Sequence, residues 1–215
     1  MDVLTRNYYR MIRNGAFGEN EPIEPMSEYK WRKIKKMAEA DGVTTYMKTD
    51  GIHTLVNIGE QRKPAKYDMP SGRRLRHITG KERHSMDTSV ASLELLNIMM
   101  HNAEQTLIRR TSLRMIIEMG VFLRTKGDKV DYIKIERWLR KLGVRRLTEL
   151  HCSVLIVLFH FDISELPFMR RCSPMAERLM LRDRRLTAAY LFKYPGTTLY
   201  SWLRRILNTL TQIEE

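Results

Sequence analysis

The feature that most constrains the fold is the stretch of residues 90–168, in which apolar side chains recur every three or four positions. That spacing places them on one face of an α-helix. Stop and start signals divide the stretch: Gly127 and Gly143 end two segments, and Asp131 is placed to cap the next. Residues 154–161 are nearly all apolar, which predicts a central helix. No segment alternates in the period of a strand, and the connections are short. The sequence therefore predicts an all-α fold, an antiparallel helical bundle.

The whole chain divides into three predicted parts. Residues 1–60 form a short N-terminal helical segment, residues 61–86 a long basic connecting loop or linker, and residues 87–215 the C-terminal helical bundle. In the first part we expect a helix over residues 2–13, a second between Ser27 and Gly42, and a third over residues 44–56. The second should bury one face, made of Trp31, Ile34, Met37 and Ala38. Further helices are expected after Pro174 and over residues 198–212.

Composition narrows the class of protein. The chain has 215 residues, a formal charge of +13 and a pI near 9.9, which invites a nucleic-acid or anionic-surface interpretation. Its longest apolar run, at residues 154–159, is far shorter than the roughly 20 residues that span a bilayer. The N-terminus has no apolar signal-peptide core. The two cysteines, Cys152 and Cys172, make no disulfide framework, so we expect reduced thiols in a cytoplasmic protein.

The segment between the two helical parts is the best candidate for contact with a polyanion. It contains Pro64, Pro70, Gly72 and Gly80, which argue against regular structure. Its cations are Arg62, Lys63, Lys66, Arg73, Arg74, Arg76, Lys81 and Arg83. A solvated surface loop is the competing interpretation. Tyr67 is the one Phe, Tyr or Trp residue between Arg62 and Arg83. The composition of this segment therefore predicts salt-sensitive contact with phosphates and not stacking on single-stranded bases.

Several phrases carry a resemblance to a known family. They are LLNIMMHNAEQTL at residues 95–107, SLRMIIEMGVFLRTKGDKVDYIKIERWLRKLGVRRL at 112–147, FHFDISELPF at 159–168, and YKWRKIKKMAEADGVTTYMKTDGIHTL at 29–55. With them, roughly half of the chain resembles the helical flanking parts of an uncharacterised bacterial nucleotidyltransferase-like family. The resemblance implies helices packed around a small nucleotidyltransferase core. It also implies a polar site at His101, Arg114 and Glu118.

The chain departs from that family where the chemistry would lie. Nucleotidyl transfer in this fold needs a Gly-Ser turn and an Asp-x-Asp pair on a strand, which together hold the triphosphate and two Mg²⁺ ions. This sequence contains no Asp-x-Asp, and Ser71-Gly72 is followed by arginines. The resemblance therefore suggests a member that has lost its catalytic core. We expect no catalytic residues and no cofactor. A metal site built from His101, His151 and Glu118 is conceivable, but helix-packing roles for these residues are favoured.

Two functions follow from these observations. The first is a non-catalytic nucleotidyltransferase-like protein, a helical remnant or a subunit that associates with a protein partner or with itself. The alternative is a basic helical module that binds nucleic acid through residues 62–83.

Overall fold

The described part of the chain contains seven α-helices. The computed structural model describes residues 1–47, 70–83, 85, 89–107, 112–173 and 176. The helices are α1 (Val3–Phe17), α2 (Glu28–Asp41), α3 (Pro70–Glu82), α4 (Val90–Leu107), α5 (Leu113–Lys126), α6 (Tyr132–Leu142) and α7 (Arg145–Phe159). Single 3₁₀ turns lie at Thr44–Tyr46, Gly127–Lys129 and Ile163–Glu165. The described residues contain no strand, which confirms the all-α class.

Helix boundaries follow local capping chemistry. The carboxylate of Asp131 accepts a hydrogen bond from the backbone N–H of Lys134 at 2.9 Å, so it caps α6 as the sequence predicts. Gly42 and Gly143 end α2 and α6 in the left-handed conformation, at φ 67° and 73°. A side chain at either position would be strained there, which explains why glycine stands at these stops.

The expected end of the first helix was wrong. Asn14 and Gly15 lie inside α1, which continues to Phe17 and ends at the left-handed Gly18. The helix persists because Asn14 is satisfied by tertiary contacts: its side-chain amide donates to the carbonyl of Glu21 and accepts from the N–H of the same residue, each at 2.9 Å. These bonds fold residues 18–26 back along α1.

The core lies among α4, α5 and α7. Helix α7 buries ten of its fifteen residues, and α5 buries eight of fourteen, so both are enclosed on most sides. Helix α4 packs against α5, α6 and α7 and contributes fully buried Leu95, Leu96, Met99, Met100 and Ala103. Central placement of the apolar run in α7 agrees with the sequence prediction. None of the helices in the described residues is long and apolar enough to cross a membrane.

Helix α1 is anchored to this core by an arginine. Arg13 is 8% exposed, and its guanidinium donates to the carbonyl of Leu158 at 2.8 Å and to the carboxylate of Glu21. On the same side, Arg124 of α5 lies over the ring of Phe161 at 4.1 Å and over that of Phe17 at 5.0 Å. These contacts join the N-terminal segment to the bundle. They also give the buried guanidinium of Arg13 its hydrogen-bond partners, without which its burial would be strongly destabilising.

Two expectations for the N-terminal half need correction. Residues 70–82, expected within a basic loop, form α3; Pro70 stands in its first turn, where its missing N–H leaves no bond unmade. Trp31, expected on the buried face of α2, is 37% exposed, because only Ile34 and Ala38 of that helix are buried. A helix was expected over residues 44–56, and the structure has a 3₁₀ turn at its start, Thr44–Tyr46. The rest of that helix, and the two predicted after Pro174 and over residues 198–212, lie outside the described residues.

Candidate nucleic-acid interface

Helix α3 buries its apolar residues and exposes its basic ones. Gly72, Leu75 and Ile78 are buried, whereas Arg73, Arg74, Arg76, His77, Lys81 and Arg83 are exposed. Arg73, His77 and Lys81 follow one another at one-turn spacing on the outward side. The period of three in buried Gly72, Leu75 and Ile78 is the reason that this glycine-containing segment folds as a helix on the bundle.

Helix α3 lies antiparallel to α6. Near its start, the guanidinium of Arg74 donates to the carbonyl of Lys141, at the end of α6, at 3.2 Å. Near its end, the carboxylate of Glu82 lies 3.7 Å from the ammonium of Lys134, in the first turn of α6. Both members of this second pair are less than a fifth exposed. Helix α3 is therefore held in a fixed place on the bundle.

Helix α6 adds cations beside those of α3. Its buried face is Ile135, Trp138, Leu139 and Leu142, and Arg137, Arg140 and Lys141 are exposed on the other side. Glu136 is engaged elsewhere, because its carboxylate lies 2.6 Å from Arg170 and 3.6 Å from Arg140. We call the outward cations of the two helices the α3–α6 face: Arg73, Arg76, Lys81, Arg83, Arg137 and Lys141.

Charge on the α3–α6 face is uncompensated within the described part of the chain. Glu82 and Glu136 are the acidic residues of α3 and α6, and both form ion pairs with neighbours outside the face. No carboxylate of the described residues lies within ion-pair distance of Arg73, Arg76 or Lys81. Exposed cations on a helix pair that is held at both ends can contact phosphates without rearrangement of the helices.

Five of the eight predicted polyanion-binding residues lie together on or next to α3. Arg74 is the one of these five whose guanidinium is tied down, by the carbonyl of Lys141. Arg62, Lys63 and Lys66 lie outside the described residues. Sequence reasoning missed the contribution of Arg137 and Lys141, because it assigned α6 only by its apolar stripe. The sequence did contain evidence for this contribution, because the residues of α6 outside its apolar stripe are mostly basic.

The polar site implied by the family resemblance is divided between two packed helices. Half-buried His101 lies on α4, and Arg114 and Glu118 lie one turn apart on α5. The guanidinium of Arg114 donates to the carboxylate of Glu118 at 2.8 Å. This is the geometry of an ordinary helical ion pair with an exposed arginine, and such pairs stabilise a helix by a few tenths of a kcal/mol.

His151 belongs to a buried polar contact and not to a site at the surface. Its Nε2 lies 2.8 Å from the hydroxyl of Thr106, and that hydroxyl donates its one hydrogen to the carbonyl of Asn102 at 2.8 Å. The histidine therefore donates from Nε2 and carries no proton on Nδ1. Complete burial lowers the pKa of His151 to about 4, so the ring is neutral at physiological pH. The neighbouring Cys152 is also fully buried, and burial raises its pKa, which makes the thiol unreactive.

Glu19, Glu21 and His160 bring three ligand atoms within 4.8 Å of one another. Arginines already occupy this cluster: Arg13 contacts both carboxylates, and Arg10 lies 3.3 Å from Glu21. The hydrogen bond from Arg13 lowers the pKa of Glu21 to about 2. Because these cations neutralise the carboxylates, a metal ion would meet repulsion here. The arrangement instead joins residues 18–21 to α1 and to the end of α7.

Comparison with known proteins returns no match: no protein-family profile, no curated protein and no solved structure is significantly similar to this chain. The protein is therefore described from its own structure, as a helical bundle with exposed cations on the helix pair α3 and α6. The resemblance to nucleotidyltransferase-like proteins stays a prediction from the residues quoted for it.

Proposed function

We propose that this protein is a nucleic-acid-binding helical module that contacts the phosphate backbone of a duplex through the α3–α6 face. The observation that carries the proposal is the set of exposed cations on α3 and α6, two helices held together at both ends, whose carboxylates are paired with residues outside the α3–α6 face. A formal charge of +13 supports it, because long-range attraction would steer a polyanion toward the molecule.

The chemistry of the face favours phosphate over base recognition. Its members are arginines and lysines, which form charge-assisted hydrogen bonds with phosphate oxygens. Apart from the imidazole of His77, the exposed residues of α3 and α6 include no aromatic side chain, and the one large exposed apolar residue of these two helices is Ile133 of α6. Binding should therefore be insensitive to base sequence and strongly dependent on salt.

The decisive experiment is a titration of a fluorescent duplex against the wild-type chain and a variant with Arg73→Ala, Arg76→Ala and Lys81→Ala. Arg74 is left in place because its bond to the carbonyl of Lys141 helps to hold α3 on α6. If three phosphate contacts are lost, the slope of log affinity against log salt concentration should become shallower by about two to three. Affinity at low salt should fall at least about tenfold.

The matched control removes the same formal charge from another surface. A variant with Arg114→Ala, Lys126→Ala and Lys129→Ala loses three exposed cations from α5 and the turn after it. It should bind the duplex within about twofold of wild type and keep most of the salt slope. Equal losses in the two triple variants would mean that net charge alone drives binding, and this would reject the α3–α6 assignment.

The non-catalytic nucleotidyltransferase-like scaffold is the other proposal that the residues support. It rests on the quoted phrases and the absent Asp-x-Asp pair. It predicts no Mg²⁺-dependent transfer from nucleoside triphosphates. Transfer activity that disappears when an acidic residue of this chain is replaced would contradict it. No distance or contact among the described residues favours it over nucleic-acid binding.

A further inference from the structure

His77 stands in the middle of the outward side of α3. Arg73 precedes it and Lys81 follows it by four residues each, so the three side chains follow one another at one-turn spacing. All three are exposed, and they lie on the side of the helix away from buried Leu75 and Ile78. A polyanion that follows this side of α3 therefore meets the imidazole between two cations.

The charged groups around His77 are mostly cations. On α3 they are Arg73, Arg74, Arg76, Lys81 and Glu82. On α6, the helix against which α3 packs, they are Lys134, Glu136, Arg137, Arg140 and Lys141. Both carboxylates are engaged, because Glu82 lies 3.7 Å from Lys134 and Glu136 lies 2.6 Å from Arg170. No carboxylate of the described residues lies within ion-pair distance of the imidazole of His77.

The helix surface beside His77 is open. An imidazole is shorter than the side chains of arginine and lysine, so a phosphate must come close to the helix to reach it. Gly80, three residues further along α3, is exposed on the same outward side. A Cβ atom at Gly80 would meet nothing within 4 Å among the described residues. A phosphate group can therefore approach the imidazole of His77 across this glycine.

Histidine differs from the other basic residues in how its charge depends on pH. Its imidazole gains or loses its charge between about pH 5 and 8, whereas lysine and arginine side chains stay charged over that range. A charged imidazole donates from both ring nitrogens, and hydrogen bonds from charged donors to phosphate oxygens are the strong ones. A neutral imidazole has one donor and no charge. A histidine in a phosphate-binding row therefore makes binding depend on pH.

We propose that His77 is a phosphate ligand of the α3–α6 face in its protonated form, so that this face binds a duplex more tightly as the pH falls. The inference rests on the proposed function and deepens it, because it assigns the regulation of the same site. A bound phosphate favours the charged form of a neighbouring imidazole. Binding of the duplex and binding of the proton therefore strengthen each other, since coupling between two ligands is reciprocal.

The test is a set of duplex titrations of the full chain at about pH 8 and about pH 5.5, on either side of the change in histidine charge. For the wild-type chain, affinity should rise about threefold or more toward the lower pH. The slope of log affinity against log salt concentration should steepen by about 0.9, the value of one added phosphate contact. His77→Gln does not titrate and should lose both changes.

Two further variants separate His77 from a general effect of pH. His77→Lys places a permanent cation in the row and should bind the duplex more tightly than wild type at about pH 8, with no rise toward about pH 5.5. His160→Gln is the matched control, because it removes an exposed histidine that lies beside Glu19 and Glu21 at the end of α7. It should keep the full pH response. Circular dichroism at both pH values confirms that each variant is folded.

Proton uptake gives a second readout that a purely structural role of His77 would not change. Calorimetric titrations of the duplex at about pH 7, in two buffers with different ionisation enthalpies, measure the protons taken up on binding. The wild-type chain should take up a fraction of a proton, and His77→Gln should take up less. Equal pH responses of wild type and His77→Gln would overturn the inference, and so would a response that His160→Gln abolishes.

The two proposals fail separately. At about pH 8 the variant of Arg73, Arg76 and Lys81 tests the α3–α6 assignment with the histidines neutral. If that variant binds the duplex like wild type, the assignment itself is wrong. If that variant weakens binding while wild type and His77→Gln respond alike to pH, only the inference about His77 is rejected.

Discussion

At the scale of single residues, His151 is a titratable side chain that is completely buried. Its ring is fully buried between α4 and α7, Nε2 donates to Thr106, and Nδ1 has no hydrogen-bond partner among the described residues. A charged imidazolium would need a second acceptor that this site does not supply. The same burial that makes His151 unsuitable as a surface ligand makes the fold sensitive to acid.

The sign of that sensitivity follows from the direction of the shift. The pKa of His151 is about 4 in the folded chain and near 6.5 when unfolded, so protons bind preferentially to the unfolded state. The free energy of unfolding should fall as pH drops from about 6.5 toward 4, by about 2 kcal/mol at pH 5. Urea unfolding at several pH values measures this.

A variant with His151→Gln separates this residue from the other titrating groups. The glutamine amide retains a donor for Thr106 and does not titrate, so the loss between about pH 6.5 and pH 5 should largely disappear. Glu21 acts in a lower window: its pKa of about 2 gives stability that is lost as pH falls from about 4.5 to 2. An unchanged acid profile in His151→Gln would show that the ring is not the sensitive group.

At the scale of secondary-structure elements, α5 approaches α7 closely at Gly120. A Cβ atom at this position would lie 2.8 Å from Leu155 Cδ2 and 3.1 Å from ring atoms of Phe17 and Phe161. Gly120 is therefore required by packing, and not by backbone conformation. In α3, by contrast, a Cβ atom at Gly80 would meet nothing within 4 Å.

The two glycines give a matched pair of substitutions. Gly80→Ala should stabilise the chain by about 0.5–1 kcal/mol, because alanine is the better helix former at an open position. Gly120→Ala gains the same propensity, but overpacking costs about 1–3 kcal/mol, so a net loss of about 1 kcal/mol is expected. Thermal and urea unfolding of both variants measure the difference. Stabilisation of equal size at both sites would contradict the close approach.

Helix capping offers a second comparison between elements. Asp131→Ala removes the side-chain bond to the N–H of Lys134 and should cost about 1 kcal/mol. Ser27→Ala, at the corresponding position of α2, should cost much less, because that serine side chain makes no capping hydrogen bond. Urea midpoints of the two variants report the difference. Equal costs would show that the bond of Asp131 contributes little.

How much could be predicted from the sequence differs between these elements. Periodic apolar residues and strong stops defined α6 between Asp131 and Gly143, because local capping and burial agree there. Helix α3 was missed because its glycines and proline argue locally for a loop, and only packing on α6 makes the helix favourable. The exposure of Trp31 was missed for a related reason: periodicity shows which residues share a face, but not how much of that face a neighbour covers.

The candidate sites show the same division. The cations of α3 were identified from composition, and their arrangement beside Arg137 and Lys141 required the antiparallel pairing of α3 with α6. That pairing depends on two long-range contacts with no local sequence signal.

At the scale of the whole molecule, the net charge of +13 acts on stability and on binding with opposite dependence on salt. Without a ligand, like charges repel within the compact state, and added salt screens that repulsion. The melting temperature of the chain alone should therefore rise with salt. A bound duplex should raise the melting temperature by mass action, and that increment should shrink as salt weakens phosphate contacts.

Thermal melts at about 0.05 M and 0.2 M salt, with and without duplex, measure both trends in one experiment. The variant with Arg73→Ala, Arg76→Ala and Lys81→Ala should lose most of the duplex-induced increment, while the control with Arg114→Ala, Lys126→Ala and Lys129→Ala keeps it. Both variants lower the net charge equally, but the control also loses the ion pairs of Arg114 with Glu118 and of Lys126 with Glu94. Each duplex-induced increment is therefore measured against the melting temperature of the same variant without ligand. A duplex-induced increment that grows with salt would contradict phosphate binding, because counterion release requires it to fall.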